Sequence, residues 1–158
     1  MITFFSIPKS FEGHIGLIQE NAIKSWLQID SAEIILFGDD KGVAEFAEKK
    51  NIRNISKIKK NNRGTPLVSD AFYQIRSIAT NDMIIYCNTD IIFTKSLKKF
   101  IIDIINLGYR NFIGCGQRYD LNITDKIKFN NDWDKNLLER TISKGKIHSK
   151  SGIDYFIL

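Results

Sequence analysis

The sequence predicts an α/β fold of three layers, α/β/α, with helices covering both faces of a mainly parallel central sheet. Three observations carry this. Short β-branched runs alternate with stretches of helical spacing in the order β-α-β-α-β-α-β-α-β-α-β, which is how parallel strands joined by crossover helices read. The polar and flexible positions fall just after the strand-like runs. The 158 residues are 43% hydrophobic and contain no repeat, linker or low-complexity tract, so residues 1–158 are expected to build a single core.

Each element has its own signal. Residues 2–7 form an apolar run stopped by Pro8, hence a first strand. Ile15, Ile18, Ala22 and Trp26 recur at helical spacing and predict a helix over 11–29. Residues 33–37 are a β-branched run halted by Gly38-Asp39-Asp40, and Val43, Phe46 and Ala47 mark a short helix. Ile52, Ile55 and Ile58 give a weaker strand among lysines, and 61–66 is a loop by composition. A helix is predicted over 68–79, with Ala71, Phe72, Ile75 and Ile78 on one face. The most apolar strand is 83–87; a helix over 96–107 follows, with Gly108 as its stop. Residues 112–115 read as a strand, 133–143 as a helix capped by Asp132 or Asn131, and 153–158 as a final strand. Because that strand ends on Phe156-Ile157-Leu158, the chain is expected to be incomplete at its C-terminus.

The net charge of +5 raises the question of nucleic acid. Lysine clusters at 49–50, 57–60 and 98–99 lack the interleaved aromatics of a single-strand binder, and acidic residues are interspersed. A solvated lysine surface is the expectation, with no nucleic-acid partner. Apolar runs fall short of the ~20 residues needed to cross a bilayer, and the N-terminus reads as a strand rather than a signal peptide. Cys87 and Cys115 lie in strand-like runs without zinc spacing, and read as buried free thiols of a reducing, cytoplasmic protein. Trp26 and Trp133 are expected in the core, and His14 and His148 as isolated surface residues.

Ligands of open α/β sheets bind outside the carboxyl ends of the strands, so the segments there are the candidates. Asp90 of Asn88-Thr89-Asp90 is placed either to hold a divalent cation through hard oxygen or to cap the following turn. Asp39 and Asp40 suit hydrogen bonds to a ribose or base, or a helix N-cap. Arg63 and Gly64 offer one cation and a flexible backbone to phosphates. Gln117, Arg118 and Asp120 make either a surface for hydroxyl-rich ligands or a plain surface loop with an Arg118–Asp120 pair. A Walker loop is absent, and no Gly-x-Gly-x-x-Gly follows the first strand.

An ordered set of short motifs resembles the glycosyltransferases of the GT-A fold, the nucleotide-diphospho-sugar transferases. The set comprises Ser6-Ile7-Pro8-Lys9, Gln19-x-Asn21-Ala22-Ile23-x-Ser25-Trp26, Phe37-Gly38-Asp39-Asp40, Gly64-Thr65-Pro66, Asn88-Thr89-Asp90-Ile91, Gly116-Gln117-Arg118 and Ser151-Gly152-Ile153-Asp154-Tyr155-Phe156. The resemblance implies a nucleotide-diphospho-sugar donor, here a uridine or guanosine diphosphate sugar, and transfer of the sugar to a glycan or other hydroxyl acceptor. By position, Ser6, Pro8, Asp39 and Asp40 resemble the nucleoside-binding edge, and Asn88-Thr89-Asp90 the Asp-x-Asp metal motif. Asn88 replaces its first Asp, so only Asp90 is left as a charged ligand for manganese or magnesium. Asp154 is the candidate catalytic residue, as the base that takes the acceptor proton or as an orienter of sugar hydroxyls; the alternative is a strand-end Asp bonding local backbone. Two other functions compete: a nucleotidyltransferase of related fold, for which residues 6–13 lack the Gly-rich, Arg-containing loop, and a non-catalytic or degenerate nucleotide-sugar-binding module.

Overall fold

The computed structural model describes residues 1–109 and 111–158. The chain runs β1 (Ile2–Ser6), α1 (Gly13–Trp26), β2 (Glu33–Phe37), α2 (Val43–Lys49), β3 (Arg53–Ile55) and α3 (Val68–Ile78). It continues through β4 (Met83–Cys87), α4 (Ser96–Asn106), β5 (Tyr119–Asp120), α5 (Trp133–Lys144), β6 (Lys146–Ile147) and β7 (Tyr155–Ile157). The main sheet has the order β3-β2-β1-β4-β7. β1 lies between β2 and β4 and is parallel to both, and β3 is parallel to β2. β7 closes the far edge antiparallel to β4, so its first residue, Tyr155, lies opposite Cys87 at the carboxyl end.

Alternation along the strands divides the core into two layers. Phe4, Ile34, Leu36, Ile85, Cys87 and Ile157 face one way and pack with Trp26 of α1, Val43 and Ala47 of α2, and Leu97 and Ile101 of α4. Phe5, Ile35 and Phe37 face the other way, onto Ala71 and Ile75 of α3. Because helices cover both faces, the central strands are apolar on both sides and read as continuous runs. Phe4 stacks on Trp26 with ring centroids 5.5 Å apart and planes 10° from parallel. The Trp26 Nε1–H donates to the Ile91 carbonyl at 2.9 Å, so this fully buried ring both fills the core and ties down the chain beyond β4.

Several expectations are corrected. The segment 112–115 is no strand; it makes one antiparallel bridge, Gly114 with Ile157. Glycine at 114 and 116 weakens strand pairing. Cys115 is therefore exposed, whereas Cys87 is buried and its thiol is pushed well above its ordinary pKa by burial. The weak strand of 52–58 shrinks to Arg53–Ile55. A two-stranded antiparallel ribbon, β5 with β6, forms outside the main sheet where no strand is expected. Asp132 occupies the N-cap of α5 but makes no side-chain capping bond. Trp133, like Trp26, is buried. Among the described residues no helix is long and apolar enough to cross a membrane.

Trp26→Phe keeps the aromatic packing but removes ring volume and leaves the Ile91 carbonyl without its donor. It should destabilise the protein by about 2–3 kcal/mol, read as a lower urea midpoint at unchanged slope.

Candidate functional site

The strand order reverses at β1. From β1 the chain passes by α1 to β2 and β3 on one side, and α3 then returns it to β4 on the other. Ligand crevices of open α/β sheets lie at such reversals, outside the carboxyl ends of the strands. By that rule the candidate crevice is the edge formed by the loops that follow Ser6, Phe37 and Cys87.

The floor of the crevice is tied together by buried side chains. The Ser6 hydroxyl donates to the Cys87 carbonyl at 2.5 Å, so it joins β1 to β4 rather than facing a ligand. Gln19, which is 3% exposed on α1, reaches both loops. Its amide oxygen accepts from the Lys9 N–H at 2.7 Å and from the Thr89 hydroxyl at 3.1 Å, and its nitrogen donates to the Lys9 carbonyl at 2.9 Å. Pro8 is buried between these ties. Asp90, next to Thr89, is exposed, and its carboxylate has no side-chain partner among the described residues.

On the β2–β3 side, Asp39 is exposed and accepts a 2.6 Å hydrogen bond from Lys60. The Lys60 ammonium holds the Asp39 carboxyl below its ordinary pKa. Neither Asp39 nor Asp40 caps α2, whose N-cap is Gly42; Asp40 contributes its carbonyl, which accepts from the Val43 N–H at 3.1 Å. Lys60 also bridges to Pro66 across the 61–65 loop, which carries Arg63 and Gly64. The Asn61 side chain orders that loop by accepting from the backbone N–H groups of Arg63 and Thr65. Arg63 itself points to solvent.

On the β7 side, Asp154 sits just before the strand. Its Oδ1 accepts from the Asn88 amide at 3.0 Å, and its backbone carbonyl accepts from the Asn88 N–H at 2.9 Å. Its other oxygen is paired with the Arg118 guanidinium. Arg118 in turn donates to Asp120 at 2.9 Å, and Asp120 lies 2.7 Å from Nδ1 of His148. His148, together with Arg118, holds the Asp120 carboxyl below its ordinary pKa. Gln117 donates to the His148 carbonyl. His148 is thus no isolated surface residue. A Cβ at Gly152 would lie 2.4 Å from Cδ2 and 2.5 Å from Nε2 of its ring, so glycine there makes room for the imidazole.

Among the described residues no group of three or more His, Cys, Asp and Glu side chains converges as a metal cage. The hard-oxygen groups available there are the Asp90 carboxylate and the Asn88 amide oxygen, too few to enclose a cation without ligands from outside the chain.

No family model and no curated protein matches the chain. Among solved structures, the fold is similar to that of S. aureus TarS, residues 1–349, with a TM-score of 0.50 and 13% sequence identity. The likeness covers 67% of this chain and 32% of the TarS chain. It concerns the fold alone, a mixed α/β architecture with a mostly parallel five-stranded sheet, consistent with a GT-A-like fold.

Gln19, Lys60 and His148 are the side chains that single-residue reasoning passes over as site candidates. Gln19 does leave a trace, an amide on the apolar face of a helix. Gln19→Leu leaves the Lys9 N–H and carbonyl unpaired and frees Thr89. A loss of about 1–3 kcal/mol is expected, with faster hydrogen exchange at Lys9 while β1 and β4 keep their protection.

Proposed function

We propose that this chain is the donor-binding part of a glycosyltransferase that moves a sugar from a nucleotide-diphosphate donor to a hydroxyl acceptor on a glycan, lipid or protein. The observation that carries the reading is Asp90 at the strand reversal, exposed and without a side-chain partner among the described residues, between two arms where Asp39, Asp120 and Asp154 each have a cationic partner and Asp40 has none. A diphosphate needs such a point, where a divalent cation can join protein oxygen to phosphate oxygen. The nucleoside would lie along Pro8, Asp39 and Asp40, with Lys60 and Arg63 nearby in chain and charge. Asp90 would hold manganese or magnesium with help from the Asn88 amide oxygen. Asp154 would meet the donor sugar, and Gln117, Arg118 and Asp120 would lie toward the acceptor.

The Asp154 carboxylate accepts from the Asn88 amide on one oxygen and is ion-paired with Arg118 at the other, an occupancy that suits a fixed carboxylate orienting sugar hydroxyls. This same occupancy favours a second reading, a binding module that holds a nucleotide sugar without turning it over. The chain spans about a third of the TarS chain it resembles, so the acceptor, and any group that completes the reaction, belong to this proposal.

Calorimetric titration separates the readings. Uridine or guanosine diphosphate sugars should bind more tightly than the matching triphosphates, and manganese or magnesium should strengthen them. Asp90→Ala should remove the metal-dependent part, about tenfold in affinity or ~1.4 kcal/mol. Preference for the triphosphate would favour nucleotidyl transfer, and unchanged metal dependence in Asp90→Ala would remove Asp90 from the site.

A further inference from the structure

We infer that Arg118 is a positioning residue for Asp154, and that His148 and Asp120 on the β5–β6 ribbon set Arg118 in turn. The inference deepens the donor-site reading and rests on it for its functional half. The geometric half stands on the chain's own contacts. Asp154 is held from two sides: the Asn88 amide on one oxygen and the Arg118 guanidinium on the other. Asn88 is fixed by its own backbone N–H to the Asp154 carbonyl, so the remaining freedom of the carboxylate is governed by Arg118.

Arg118 has little freedom of its own. Its Nε donates to Asp120, and its Nη2 lies 3.0 Å from Nδ1 and 3.1 Å from Nε2 of His148. One nitrogen cannot be that close to both ring nitrogens within the ring plane without overlapping the carbon between them. The guanidinium therefore rests on the face of the imidazole, the stacking for which a planar guanidinium is suited. The ring is held on its edge by Asp120 at Nδ1 and faces Gly152, where a Cβ would collide with it. The His148 N–H donates to the Arg118 carbonyl at 2.9 Å, closing the ribbon around the pair. Five side chains spread over 67 residues of sequence, Asn88, Arg118, Asp120, His148 and Asp154, thus form one chain of contacts whose inner end is the carboxylate beside the crevice. A guanidinium fork can grip Asp154 and Asp120 at once; an ammonium acts as a point charge and cannot.

The test uses the whole chain as wild type, Arg118→Gln, Arg118→Lys, His148→Gln and Asp154→Asn, with melting curves to follow folding. The Asn88 side-chain amide, assigned by its loss in Asn88→Asp, reports on Asp154 by NMR with no nucleotide present. Arg118→Gln should move this resonance as far as Asp154→Asn does, Arg118→Lys should not restore it, and His148→Gln should move it in the same direction by less. An unmoved Asn88 amide in Arg118→Gln overturns the inference. If Arg118→Gln does not fold, His148→Gln decides by the same criterion.

The functional half is read from the ratio of dissociation constants for UDP and UDP-glucose, and for GDP and GDP-mannose. Arg118→Gln should reduce the gain from the sugar to the level of Asp154→Asn, while free-nucleotide affinity stays within about twofold. The double variant should be no worse than Asp154→Asn alone. An equal loss of nucleotide affinity would make Arg118 a phosphate ligand and overturn the positioning role. Absence of all nucleotide binding in wild type would sink the proposed function, and the Asn88 amide would still decide the clamp.

Discussion

The arrangement of the crevice depends on the polar groups buried along the inner face of α1. Gln19, Asn21, Ser25 and Trp26 all lie under the loops rather than in solvent. Gln19 joins the loop after β1 to the loop after β4. Asn21 donates to the Asp125 carbonyl and accepts from the Ile127 N–H, each at 2.9 Å. Ser25 accepts from the Phe93 N–H at 3.1 Å while donating to the Ala22 carbonyl, and Trp26 donates to Ile91. Irregular backbone must find partners for its N–H and carbonyl groups when it is buried. Here one helix, less than three turns of it, supplies those partners to three separate stretches of loop. The motif Gln19-x-Asn21-Ala22-Ile23-x-Ser25-Trp26 has its physical meaning in that duty: apolar members fill the core and polar members fasten the loops that shape the site.

Much of the fold was legible because its signals are local. The limits of β2 and β4 follow from apolar runs with polar stops, and α4 ends where Gly108 takes a positive φ of 73°. What was not legible depends on contacts between distant residues. The β5–β6 ribbon has two residues per strand, too few for any alternation to show. Residues 112–115 carry the apolar character of a strand, yet the edge of β7 takes only Gly114 as a partner. The candidate site divides in the same way. Asp90 and Asp154 follow from their places at strand ends, but the partners that decide their states do not. His148 stands alone in the sequence and becomes part of a cluster only because the ribbon returns it to Arg118, thirty positions earlier.

Charge follows a similar rule. The lysines that give the chain its excess of +5 are in several cases partners of specific acids: Lys59 with Asp70, Lys60 with Asp39, Lys41 with Glu12, Lys98 with Asp30. Exposed pairs such as Lys41–Glu12 and Lys98–Asp30 add little to stability. Their effect is on the local potential, since they remove acids from the set able to attract a cation. Asp39 is held below its ordinary pKa by Lys60, and Asp70 by the Lys59 backbone N–H and Gln74. Both stay charged to lower pH than a free carboxyl, and any stability they contribute is lost as pH falls through that lowered range.

This filter explains why Asn rather than Asp stands at position 88. The side chain there lies 3.0 Å from an Asp154 oxygen and meets it as a donor. A carboxylate at 88 would face another carboxylate at hydrogen-bond distance, and like charges so close cannot both remain ionised without a cation between them. The amide removes that conflict and anchors Asp154 whether or not a metal is bound. With Asn at 88, Asp90 is the one acid of Asn88-Thr89-Asp90, and its carboxylate has no side-chain partner among the described residues. On the proposed function, a metal held there would draw on phosphate for most of its coordination, which would tie its affinity to the nucleotide diphosphate. The amide at 88 thus matches the antiparallel β7, which brings Asp154 against the end of β4.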